Sequence, residues 1–144
     1  MKLLMSACLL GVNCRYNGER KALPDDVLQR LLERHTVVPV CPEQLGGLTT
    51  PREPSERQGE RVVMRSGRDV TAEYTRGAQE ALRLARRFGC TAAVLKERSP
   101  SCGRGEVYDG TFTGTLTPGD GVTAQLLLEN GIVVYGESEI DKLV

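Results

Sequence analysis

The sequence predicts an α/β fold, a mostly parallel sheet with helices on both faces. Short β-branched runs such as residues 36–40 and 91–96 lack polar alternation, as strands covered on both faces do. They alternate with helical patterns in the order βαβ(β)αβ…αβ, which builds parallel sheets. The 144-residue chain shows no internal repeat, low-complexity segment or domain break. A chain of this length buries about two-thirds of its unfolded surface without staples, so one domain over residues 1–144 is expected.

Residues 2–7 read as the first strand, ending at Cys8, and the connection from Leu9 to Gly18 is long enough to suggest function. Pro24 with Asp25 and Asp26 starts a helix over residues 25–34, where Val27, Leu28, Leu31 and Leu32 recur at helical spacing. The strand at 36–40 empties into Cys41-Pro42-Glu43, and the proline-rich, charged segment 49–57 reads as an irregular solvated loop. Residues 62–65 suggest a short edge strand. Thr71 is the expected N-cap of the longest helix, 72–88, with Tyr74, Ala78, Ala81, Leu82, Ala85 and Phe88 as its apolar stripe and Gly89 as its stop. The strand at 91–96 leads into Ser99-Pro100-Ser101-Cys102-Gly103, followed by a hairpin near residues 108–112. Asp120 or Thr117 caps a helix over 121–130 that Gly131 stops, residues 132–135 form a last strand, and Ser138 caps a short terminal helix.

Net charge is zero and charged residues make up 26%, which argues against a large nucleic acid or an anionic membrane as partner. The apolar stretch before Gly11 is too short to span a bilayer and carries no small-residue cleavage pattern, so it reads as a buried strand of a cytoplasmic protein. In a reducing compartment, five cysteines serve metal or catalysis more often than disulfides.

Three cysteines, Cys8, Cys41 and Cys102, follow predicted strands. If those strands are neighbours, the thiols meet on one sheet edge, where ligands of α/β folds bind. Thiolates select zinc, copper(I) or iron–sulfur, and three protein ligands leave an open position for substrate. Against this, free cysteine is among the most buried residue types, the simplest reading of Cys90. Cys14 is open to three readings: a fourth ligand, a resolving thiol or a packed side chain. Glu43 is either a general base beside a metal held by Cys41 or a carboxylate at a helix start. Ser99 and Ser101 either stabilise developing charge or serve the turn around Pro100. His35, the only histidine, reads as a surface partner of the first helix's C-terminus, and Gly11, Gly46 and Gly47 as glycines that expose amides to an anion.

Taken together, Cys8-Leu9-Leu10-Gly11…Cys14-Arg15-Tyr16-Asn17-Gly18, Cys41-Pro42-Glu43-Gln44-Leu45-Gly46-Gly47-Leu48…Pro51-Arg52, Ser99-Pro100-Ser101-Cys102-Gly103 and Tyr108-Asp109-Gly110-Thr111-Phe112 resemble the bacterial thiouracil desulfidase family over nearly the whole chain. The resemblance implies a Rossmann-like α/β layer and a [4Fe–4S] cluster held by Cys8, Cys41 and Cys102. It implies Glu43 as catalytic glutamate and a catalytic serine at Ser99 or Ser101, with Ser99 favoured. The implied reaction removes sulfur from a thiolated pyrimidine, as base, nucleoside or nucleotide, without net redox change. Asn17 stands where aspartate is usual in the family. Arg15, Arg52 and Arg57 are candidates for a substrate phosphate or are solvated loop arginines. The competing functions are a zinc-binding or sulfur-carrying protein without catalysis and a thiol redox sensor built on Cys8 and Cys14.

Overall fold

The computed structural model describes residues 1–18 and 22–144. In chain order its elements are β1 (Lys2–Ser6), α1 (Asp25–Arg34), β2 (Thr36–Val40), α2 (Pro42–Leu45), β3 (Ser55–Gln58), β4 (Arg61–Met64), α3 (Thr71–Phe88), β5 (Ala92–Leu95), β6 (Glu106–Tyr108), β7 (Leu116–Pro118), α4 (Val122–Glu129) and β8 (Val133–Gly136). Two 3-10 turns, Ala7–Leu10 and Glu137–Lys142, complete them.

Four strands form one parallel sheet in the order β2-β1-β5-β8. The central strands β1 and β5 are buried on both faces, which is why their sequences lack alternation. On one face Leu4, Val40 and Ala93 pack with Ala81, Leu82 and Ala85 of α3 and Leu127 of α4. On the other, Leu3, Met5 and Val94 pack with Leu31 of α1 and with Ile140 and Leu143 near the C-terminus. Helices thus cover both faces, as the sequence predicts. The chain leaves β1 for β2 on one side and later returns to its other side with β5, so the winding reverses beside β1. In open α/β sheets that reversal leaves a crevice at the strands' carboxyl ends.

Two antiparallel hairpins stand at this edge, β3-β4 and β6-β7. The first overturns the expected irregular loop over 49–57. Ser55, Glu56 and Arg57 pair with Met64, Val63 and Val62, a ladder that charge and nearby prolines disguise. Arg57 donates to Asp120 O and Gln125 Oε1 at 2.6 Å each, so it clamps this hairpin to α4.

Several caps also differ from expectation. Thr71 lies inside α3, its Oγ1 accepting from Val62 N–H, while Asp69 Oδ1 accepts from Thr71 N–H. Asp120 serves Gly105 N–H, and Gly121 caps α4. Gly136, not Ser138, precedes the terminal 3-10 turn. His35 is half-buried and joins the chain ends: Nε2–H donates to Leu143 O at 2.7 Å, and Nδ1 faces the N-terminal ammonium at 3.4 Å. Gly89, with φ 72°, does end α3.

Candidate active site at the carboxyl edge of the sheet

A cavity of about 470 Å³ opens at the winding reversal. Cys8 follows β1, Cys41 follows β2, and Cys102 lies on the loop after β5; all three line it, as do Glu43, Ser99, Arg15 and Arg52. Cys14 lines it too. Its thiol lies beside those of Cys8 and Cys41, and its carbonyl accepts from Cys41 Sγ at 3.7 Å. Cys90 lies apart from the cavity in the α3-side core, as expected of a packed cysteine.

Glu43 sits in the first turn of the four-residue α2, with Pro42 at the helix start. What fixes its direction is a close approach of two helices. A Cβ on Gly46 would lie 1.9 Å from Glu73 O, and one on Gly77 would lie 1.9 Å from Pro42 O, so α2 docks on α3 only because both are glycine. The expected role of Gly46 as an anion cradle gives way to this packing role. Docking brings Tyr74 of α3 to the carboxylate: its hydroxyl donates to Glu43 Oε2 at 2.9 Å. Burial, first, and the Glu43 charge raise the Tyr74 pKa, so it remains a donor at neutral pH.

Arg52 completes the grip with a side chain only 3% exposed. Nε and Nη2 donate to Glu43 Oε2 at 3.1 and 2.8 Å, Nη2 also to Cys14 O, and Nη1 to Thr49 O and Thr50 Oγ1. A guanidinium has five N–H donors, and these contacts use all of them. Arg52 is therefore a clamp joining Glu43 to the Cys14 loop, and the expected phosphate contact would break it. All three hydrogen bonds to Glu43 fall on Oε2, and among the described residues none falls on Oε1. Arg15 keeps its place at the cavity wall, its guanidinium 5.8 Å from the Tyr16 ring centroid.

The two serines separate. Ser99 Oγ accepts from the amides of Ser101 and Cys102 at 3.1 Å each, which orders the loop and leaves its hydroxyl hydrogen for a further partner. Ser101 is fully buried and does not line the cavity; its Oγ shares a 2.8 Å hydrogen bond with Thr123 Oγ1. Its carbonyl accepts from Thr123 and Ala124, seating the loop on the N-terminus of α4. Ser55 is a residue the sequence reading missed. Its side chain lies at the cavity wall beside the Tyr74 hydroxyl, with Oγ buried from solvent.

The donor set fits a soft-metal cluster. Burial, first, pushes the Cys102 thiol up to about 12, against the hydroxyls of Ser6 and Ser101 that favour its thiolate. The interaction with the Cys41 thiol favours the Cys14 thiolate most, but that with Cys8 and burial together raise Cys14 to about 11. The interaction with Cys14 and burial also raise Cys41. Such thiols become thiolates when a cationic centre takes their protons' place. Among the described residues no three His, Cys, Asp or Glu side chains gather as ligands of one metal ion would. A cluster makes no such demand, since each cysteine binds a different iron.

Comparison with known proteins agrees with this chemistry. The sequence profile of the 2-thiouracil desulfurase family matches residues 3–139. The chain belongs to that family. It is 41% identical to the uncharacterized protein YbbK of Bacillus subtilis (strain 168), over 99% of each chain. The solved structure of the [4Fe-4S]-dependent thiouracil desulfidase TudS superposes with a TM-score of 0.94 at 48% identity, covering 99% of this chain and 94% of that one. Family membership thus joins a reaction class to a cavity that holds three strand-end cysteines and a fixed carboxylate.

Proposed function

We propose that this protein is a [4Fe–4S]-dependent desulfidase that converts thiouracil to uracil in the cytoplasm. The observation that carries the reading is the meeting of Cys8, Cys41, Cys102 and Glu43 on one cavity from three separate strand ends. Cys8, Cys41 and Cys102 would hold the cluster, which when bound supplies an iron with Lewis acidity toward the thiocarbonyl sulfur.

The chain's own residues do the rest. Glu43, held through Oε2 by Arg52 and Tyr74, presents Oε1 to take a proton from the attacking water. The water oxygen forms the new bond to the thiocarbonyl carbon, the C–S bond breaks, and sulfur departs as hydrosulfide. Water and thiouracil become uracil and hydrogen sulfide with no electron gained or lost. Ser99, its oxygen engaged by two amides, donates its hydroxyl hydrogen to the substrate.

The test is anaerobic reconstitution with iron and sulfide, followed by incubation with 2-thiouracil. The expected result is broad visible absorption, bound iron and sulfide, and formation of uracil and sulfide in equal amounts. A colourless protein holding stoichiometric zinc, or a loaded protein that leaves thiouracil intact, overturns the reading. Cys8→Ser, Cys41→Ser and Cys102→Ser each lose bound iron, while Cys14→Ser and Cys90→Ser retain it.

A further inference from the structure

The loop between β6 and β7 is built to hold one aromatic ring at the cavity. Phe112 lines the cavity although its backbone sits at φ 59°, a left-handed conformation that side chains other than Asn, Asp and Gly rarely adopt. Strain of this kind persists only where the surroundings impose it, and it concentrates at ligand sites. The agent here is Glu56 of β3, a carboxylate only 8% exposed. Its Oε1 accepts from Gly110 N–H at 2.9 Å and from Phe112 N–H at 3.1 Å. Gln58 of the same strand donates to Gly110 O at 2.8 Å, and Arg65 of the same hairpin lies over the Phe112 ring, 5.8 Å from its centroid. A buried carboxyl group devoted to two loop amides is a costly way to fold a surface turn. It is a reasonable way to fix a ring against a planar ligand.

Resting on the reading that thiouracil is the substrate, we propose that Phe112 is the stacking surface for the pyrimidine ring and that Glu56 is the positioning residue that holds it there. Every pyrimidine offers a π-face, so stacking on an aromatic side chain favours a planar base over an aliphatic thioamide, whatever heteroatom the ring carries. Phe112 thus selects the ring, while the cysteine end of the cavity selects the sulfur.

The experiment compares loaded wild type with Phe112→Leu, Phe112→Tyr and Glu56→Ala, measuring kcat and KM for 2-thiouracil and inhibition by uracil, which has no sulfur. Phe112→Leu should raise both KM and the uracil inhibition constant about tenfold, equivalent to about 1.4 kcal/mol of lost binding, with kcat within about threefold of wild type. Phe112→Tyr should restore both constants. Glu56→Ala should move them in the same direction, and Phe112→Leu/Glu56→Ala together should add little to Phe112→Leu alone. Unchanged KM and uracil inhibition in a folded, active Phe112→Leu enzyme overturns the stacking role and leaves the desulfidase reading intact. Loaded wild type that is inactive on thiouracil but binds uracil in calorimetry overturns the desulfidase reading instead.

Discussion

At the level of single residues, the site turns on how one carboxylate is held. Glu43 is 15% exposed and receives three hydrogen bonds on one oxygen, two of them from a buried arginine. Replacing the acid without its shape tests the base role proposed for Glu43: Glu43→Gln should lower kcat by about 10²–10⁴-fold while iron content and visible absorption stay at the wild-type level. Arg52→Lys should also lower activity, because an ammonium has three donors on a flexible stem and cannot replace a five-donor planar fork. Loss of iron in Glu43→Gln, or wild-type activity in Arg52→Lys, counts against these roles. The cysteines and Glu43 were legible in the sequence because strand ends and a nearby carboxylate leave a local pattern. Tyr74 was not, because the helical stripe that marks it as core says nothing of its hydroxyl. Arg52 was legible as a functional arginine but not as a clamp, since saturation of its donors depends on carbonyls from Cys14 and Thr49 that only folding brings near.

Among elements, the smallest helix matters most. Four residues of α2 cannot hold their own geometry, and its docking on α3 through Gly46 and Gly77 supplies it. Gly77→Ala forces a methyl against Pro42 O and should cost about 2 kcal/mol, a fall in Tm of roughly 8 °C, although alanine is the better helix former. Activity should fall with it, because α2 carries Glu43. A Gly77→Ala protein that melts at or above the wild-type temperature contradicts this account. The helices and central strands were legible from periodicity, and α1 and β2 fall on their expected residues. The hairpin at β3 was hidden because its residues read as solvated loop, and only pairing with β4 makes them a strand. The expected hairpin near Tyr108 is present, with a wider loop than the local turn residues suggest.

For the whole molecule, the parallel sheet and its helical cover follow from unalternating strands, whereas the strand order does not. Cys8, Cys41 and Cys102 meet because β5 inserts on the free side of β1 while β2 occupies the other, a long-range choice that no local pattern encodes. That order also sets a timetable. A growing chain carries Cys8 and Cys41 from early in synthesis, but Cys102, the third proposed ligand, cannot take its place until β5 has emerged and paired with β1. Cofactor delivery therefore has to wait until the loop carrying Cys102 has left the ribosome. Ribosome-held chains ending before Cys102 should take up no cluster, and the full 144-residue chain held on a C-terminal linker long enough to clear the exit tunnel should, as read by iron bound per stalled chain. The pairing of β5 with β1 is thus the checkpoint between a reactive pair of thiols and the complete three-cysteine site.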